Sequence, residues 1–477
     1  MSETTDTYTL GGTNKKGRKS LYQKREKIRP RAVSGRFNNL RVLSVVLLLG
    51  LYYGLPWLQW HGRQAVLFDL PARKFHIFAV TFWPQDFIFL TLLLILAALA
   101  LFFFTALAGR LWCGYACPQT VWTEVFIWME RLCEGDRNQQ IKLDKQPWNL
   151  RKWRIKISKH VLWVVFALFT GYTFVGYFTP IHDLTTAVLE LNTSGWETFW
   201  ILFYSFATWG NAGKLREQVC IYMCPYARFQ SAMFDKDTLI IAYDEKRGEQ
   251  RGGRKKSATQ EEYQAEGLGD CIDCKQCVHV CPTGIDIRDG LQYACIACAA
   301  CIDVCDDIMD KMGYDRGLIR YTTEHKDQGK ESRILRPRTV FYAGVLTLIT
   351  GVFITAMLLR VPLELDIIKD RNRLYVTNAN GLVENIYQLR ILNKDQQDHS
   401  YKISMDAENM PGLTLQAPEY VSVKAGAVLT VPVRAAIDPI ELKSSNETVL
   451  IQIKSIDKPE LEVSEKARFI GPVSRRR

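Results

Sequence analysis

Residues 87–108 and 339–359 carry no charge and are apolar at nearly every position. Each reaches the ~20 residues that a helix needs to cross a hydrocarbon core. Both predict membrane-spanning helices. Residues 161–180 are similar in length and slightly less apolar, and 42–58 continue through Trp57 and Trp60 into an aromatic interface belt. These predict two further spans. Residues 198–212 are short and bracketed by Glu197 and Lys214, so they read as a fifth span, with a re-entrant helix as the alternative. From residue 365 the pattern changes to strict alternation, as in Ile386-Tyr-Gln-Leu-Arg-Ile-Leu392 and Thr448-Val-Leu-Ile-Gln-Ile-Lys454. Period-two runs between Asn, Gly, Pro and Asp turns predict an antiparallel sheet. About seven such strands in 365–477 suggest an immunoglobulin-like sandwich.

Charge orients these elements. The formal net charge is +11, and the arm 1–41 holds Lys15, Lys16, Arg18, Lys19, Lys24, Arg25, Lys27, Arg29, Arg31, Arg36 and Arg41 ahead of the first apolar run. The positive-inside rule places that arm in the cytoplasm. A basic segment beside a membrane helix is a topology signal, so no nucleic-acid partner is expected. The first apolar stretch lacks a cleavage pattern and is expected to remain as an anchor. Five spans divide the chain into a membrane domain 42–212 with a cytoplasmic loop 109–160, a cytoplasmic segment 213–337, a fifth helix 339–359 and an exported domain 365–477. All thirteen cysteines lie at or before Cys305, which suits an exported tail held by packing alone. Residues 244–269, rich in charge, Gly and Gln, read as a solvated tether.

Within 270–306 the run C-x2-C-x2-C-x3-C occurs twice, as Cys271, Cys274, Cys277, Cys281 and as Cys295, Cys298, Cys301, Cys305. This is the spacing that holds two [4Fe-4S] clusters in a bacterial ferredoxin, with the fourth thiolate of each cluster supplied by the other run. It assigns Cys271, Cys274, Cys277 and Cys305 to one cluster and Cys295, Cys298, Cys301 and Cys281 to the other. Zinc competes for paired CxxC motifs, but a tetrahedral zinc site has no use for the third and fourth cysteine of each run. The chemistry implied is electron transfer. Pro282 follows the first run, whereas Asp306 follows the second, a departure that removes no ligand.

Four further cysteines form a second repeat, Cys113-Gly-Tyr115-Ala-Cys117-Pro118 and Cys220-Ile-Tyr222-Met223-Cys224-Pro225. Each follows an apolar span, and two crossings separate them, so both belong at the cytoplasmic membrane face. A four-residue spacing sets two thiols on one helix face, and the proline starts a new helix whose N-terminal dipoles lower a thiol pKa. Simple apolar packing is the bland alternative. Soft thiolates, with Met223 nearby, favour Cu(I). A third iron-sulfur cluster on Cys113, Cys117, Cys220 and Cys224 is the rival. Cys133 has no partner by spacing. His160 and His182 flank the third span without forming a haem pair, His399 reads as an exposed polar residue, and no dinucleotide or phosphate-loop motif is present.

Membrane spans, twin CxxxCP motifs, a two-cluster ferredoxin segment and a C-terminal sandwich together resemble the cytochrome c oxidase accessory protein family known as CcoG, FixG or RdxA. The resemblance covers nearly the whole chain. It implies an inner-membrane oxidoreductase that reduces Cu(II) to Cu(I) for assembly of a cb-type haem-copper oxidase, with copper-delivery and oxidase-assembly proteins as partners and an unnamed electron donor. A quinol dehydrogenase using the same clusters, and an assembly scaffold with structural clusters, are the alternative readings.

Overall fold

A computed structural model describes residues 27–254, 260–370, 373–406, 410–442 and 444–472. Of the basic arm, Lys15, Lys16, Arg18, Lys19, Lys24 and Arg25 lie outside the described residues. Two compact units make up the chain: residues through Leu58 with Leu94–Thr347, and Gln59–Leu93 with Leu348 onward.

The first unit opens with α1 (Arg36–Gly54), whose first turn is capped from far along the chain. The Asp303 carboxylate accepts from the backbone N–H groups of Phe37, at 3.2 Å, and Asn38, at 2.7 Å. These are donors that a helix start leaves unpaired. Helix α2 (Phe87–Ala108) delivers the chain to the short α3 (Leu111–Tyr115) and to α4 (Pro118–Glu134). Helix α5 (Leu150–Val175) begins well before the apolar stretch 161–180, because Lys156 and Lys159 on its first turns pair with Glu134 of α4 at 3.0 and 2.6 Å. Ser194 and Glu197 form the capping box of α6 (Gly195–Thr208), an S-x-x-E signature readable in the sequence.

Helices α1, α2, α5 and α9 (Pro337–Leu358) are long and apolar enough to cross a membrane. Helix α6 is shorter, but its path continues through a wider π-type turn, Trp209–Leu215. Gly213 packs on Trp163, Gly171 on Ser205, and Thr179 hydrogen-bonds Glu197 at 3.1 Å. Eight residues forward along α5 therefore match eight residues backward along α6 and its extension. The return path over 195–215 is as long as the outward one, although this segment is not among the four helices long and apolar enough to cross a membrane. Polar residues close this interface on its charged side: Arg216 reaches Glu130 at 2.6 Å, and Lys27 also binds Glu130.

After α7 (Pro225–Met233) the chain enters the cysteine-rich region, closed by α8 (Ala300–Met312) and by antiparallel pairing of Ile240–Tyr243 with Ile319–Thr322. Residues 244–254 and 260–269 are not a free tether. Arg247 binds Asp270 at 2.5 Å, Gly252 N–H donates to the Cys271 carbonyl at 3.1 Å, and buried Tyr263 donates to Asp270 at 2.7 Å. Asp244, Arg247, Glu249, Arg251 and Arg254 all have partners within the fold, while Lys255 and Lys256 lie outside the described residues.

In the second unit, β1 (Val66–Asp69), β2 (Lys74–Ile77) and β3 (Val80–Phe82) form a small sheet. The following Asp86 is buried and binds Arg360 at 2.5 Å and Lys394 at 3.2 Å. The sandwich places β4 (Leu363–Lys369), β5 (Val383–Asn393), β7 (Thr414–Gln416) and β9 (Val428–Ile437) in one sheet, in the order β7-β9-β5-β4. The facing sheet has β6 (His399–Asp406), β8 (Tyr420–Val423), β10 (Asn446–Ser455) and β11 (Glu462–Ile470), in the order β8-β6-β10-β11. Its core is the alternating set the sequence displays, with Tyr387, Leu389, Ile391, Val433, Val449, Ile451 and Phe469 all buried. His399 differs from the expectation of exposure: it is buried and held by Asp395 at 2.9 Å.

Candidate metal centres

Repetition at the level of backbone builds the two cysteine cages. Asp273 and Lys275 in the first run, and Ala297 and Ala299 at the matching places in the second, all have positive φ, between 51 and 59°. Left-handed residues alternating with right-handed ones turn successive N–H groups toward one point, a nest suited to an anionic centre. Cys271, Cys274, Cys277 and Cys305 line one small cavity, together with Tyr243, Met309 and Leu318. Cys281, Cys295, Cys298 and Cys301 line another, with Ile285, Ile287 and Ile296. Cys277 faces both. Cys281 and Cys305 thus each sit in the cage built by the other run.

Both cages are apolar. Burial pushes the Cys277 and Cys295 thiols up to about 12, and raises Cys298, although N–H groups of Ala297 and Ala300 act on Cys295 and Cys298 in the opposite direction. Metal binding at such thiols must displace protons. Four thiols around each cavity, with backbone donors aimed inward, fit a cubane iron-sulfur cluster.

The second repeat also comes together. Pro118 and Pro225 each occupy the first turn of a new helix, with Cys117 and Cys224 at the capping positions. The four-residue spacing does not lie on one helix face, because the helix breaks between the cysteines of each pair. Cys220 nevertheless feels the charges of Cys117, Cys113 and Cys224, which places all four thiols within electrostatic reach. At the start of α4, burial raises the Cys117 thiol although N–H groups of Thr120 and Gln119 act in the opposite direction, and burial pushes the Cys113 thiol up to about 11 and Cys220 to about 12. The Cys113 thiol donates to Oε1 of fully buried Gln230 at 3.3 Å. Met223 is 61% exposed, on the outer side of its turn. His160 packs edge-on against Trp163 and His182 against Trp57.

Sequence reading missed several residues that hold this region. Arg110 donates to the carbonyls of Tyr293 and Ala227, and Tyr321 donates to the Ala297 carbonyl at 2.7 Å. A lone arginine directly after an apolar span was the available signal for the first.

A family model described as a 4Fe-4S dicluster domain matches residues 215–324, and one described as a 4Fe-4S binding domain matches residues 90–134. A third, described as an IG-like fold at the C-terminal of FixG, matches residues 353–472. Protein RdxB of Cereibacter sphaeroides is 43% identical over 86% of this chain and 89% of its own length. Nitrogen fixation protein FixG of Rhizobium meliloti is 39% identical over 83% of this chain and 82% of its own. Protein RdxA of C. sphaeroides is 41% identical over 87% and 88%. With two cysteine cages, a membrane helix set and a C-terminal sandwich in the same order along the chain, the protein belongs to the FixG/RdxA family of membrane iron-sulfur proteins.

Proposed function

We propose that this chain is a membrane cupric reductase, in which Cys271, Cys274, Cys277 and Cys305 hold one [4Fe-4S] cluster and Cys281, Cys295, Cys298 and Cys301 hold the other. Bound clusters supply one-electron redox chemistry. The observation that carries the reading is that the two CxYxCP motifs, about a hundred residues apart in sequence, are tied together within the unit that holds both cages: the Cys113 thiol donates to Gln230 at 3.3 Å and Arg110 to the Ala227 carbonyl, both just past Cys224. Soft thiolates stabilise Cu(I) over Cu(II), so a thiol site at the membrane face favours one-electron reduction of Cu(II) taken up as substrate. The product suits copper-delivery and oxidase-assembly proteins as recipients. The basic N-terminal arm and the cages are assigned to the cytoplasm and the sandwich to the periplasm, a reading supported by the positive-inside pattern and by counting 195–215 as a fifth crossing beside the four long apolar helices.

A second reading has a specific observation behind it. Among the described residues no three His, Cys, Asp or Glu side chains stand at the spacing of a single metal ion, and the 4Fe-4S binding domain model covers Cys113 and Cys117. Both favour a third cluster on the membrane thiols. Iron analysis separates the two. The copper reading expects about eight irons per chain in the wild type and in a Cys113→Ala/Cys117→Ala variant, with Cu(I) binding lost in the variant. About twelve irons, falling to about eight in the variant, would establish the third cluster instead.

A further inference from the structure

The two cages are not equivalent toward the membrane thiols. A Cβ added at Gly114, inside the first CxYxCP motif, would lie 2.8 Å from the Ile296 carbonyl oxygen, 2.9 Å from that of Ala297 and 2.9 Å from the Cys298 Cα. Real Cβ atoms do not approach backbone so closely, and the φ of Gly114 is not positive, so the glycine is there for contact and not for a turn. Cys113 packs in the same apolar cluster as Ile296 and Cys298. Arg110 ties the two motifs to this loop: its guanidinium donates to the carbonyls of Tyr293 and Ala227 and lies 4.8 Å over the Tyr293 ring. On the other side, Cys220 shares a cavity with Pro282, Thr283 and Ile296. Among the described residues neither cavity is itself lined by a motif residue, but these contacts all run to the loop and residues that bound the second cage, whereas Cys274 of the first is exposed.

We propose that the second cage (Cys281, Cys295, Cys298, Cys301) is the electron exit toward the membrane thiols, docked there by Gly114 and Arg110, and that the first cage, with exposed Cys274, is where a soluble low-potential one-electron carrier delivers. Cys277 lines both cavities and so links them through one side chain. Each electron taken from the carrier leaves it oxidised by one and reduces one Cu(II) to Cu(I), with no proton required. Gly114 acts as a positioning residue. The inference rests on the cupric reductase reading, and its test keeps the two apart.

Full-length Gly114→Leu, Cys113→Ala/Cys117→Ala and wild-type protein are loaded, reduced with dithionite, and reoxidised in separate stopped-flow runs by ferricyanide and by Cu(II). Iron content is measured, and cluster midpoint potentials are read by EPR-monitored titration. In Gly114→Leu the expectation is wild-type iron, an unchanged ferricyanide rate, a Cu(II) rate lowered at least tenfold and a shifted midpoint potential for one cluster only. A slow Cu(II) reaction in the thiol variant with a normal one in Gly114→Leu would overturn the exit assignment while leaving the reductase reading intact. Normal Cu(II) rates in both variants would overturn the reductase reading and the inference with it. If Gly114→Leu does not retain iron, Gly114→Ala, which adds only the Cβ, is read by the same criteria.

Discussion

Cys281 and Cys305 are the thiols whose cages lie in the other run, and the prediction at residue scale concerns them. Cys305→Ser should remove the cluster bounded by Cys271, Cys274 and Cys277 and leave about four irons, those of the second cage. Selective loss of the second cluster would show that each run serves its own centre. These ligands were legible because cluster chemistry fixes cysteine spacing along the chain. Gly114, Arg110 and Asp303 were not, since their partners lie more than a hundred residues away and a lone Gly, Arg or Asp has no spacing to betray it. The thiol pKa was misjudged for a related reason. A helix start at Pro118 is visible in sequence, whereas the burial that overrides it at Cys117, and that also raises Cys113 and Cys220, is a property of the fold.

Between elements, small residues and buried charge decide the packing of α5 against α6. A side chain at Gly171 would press on the Ile201 carbonyl and on Ser205, each 2.4 Å from the added Cβ. Gly171→Leu should therefore cost about 1–3 kcal/mol or more, read as a lower melting temperature in detergent. An unchanged melting point would mean that the helices are not in this register. Next to that interface Glu130 binds Arg216 and Lys27. Burial alone would raise its pKa, but Arg216 and then Lys27 pull it from 4.5 down to about 2. A depressed pKa contributes stability above pH 4.5, and that contribution is lost as pH falls toward 2. Glu130→Gln should be less stable than wild type at neutral pH and lose less on acidification across that window; parallel pH curves would contradict it. The sequence hinted at helix α6 but not at its length, because the π-type turn Trp209–Leu215 carries it past the apolar stretch 198–212 through Asn211 and Lys214, residues an apolar pattern rejects.

For the whole molecule, the order of spans, cages and sandwich follows from patterns of apolar, alternating and cysteine positions. The union of cages and membrane motifs in one compact unit does not. The charged stretch 244–269 suggested a ferredoxin module on a tether, but its described parts bind Cys271 and Asp270 through Gly252, Arg247 and Tyr263, and the module belongs to the unit that holds Cys113 and Cys220. The central claim is that electrons held by the cages reach Cu(II) through the membrane thiols. The most direct measurement is anaerobic titration of the reduced protein with Cu(II), following cluster absorbance and trapped Cu(I) together, in the wild type and in a variant with Ala at Cys113, Cys117, Cys220 and Cys224. One Cu(I) per electron lost from the clusters, with the reaction abolished in the variant while its eight cage thiols keep their iron, is the predicted result. Cluster oxidation and Cu(I) yield that are the same in the variant as in the wild type would contradict the account.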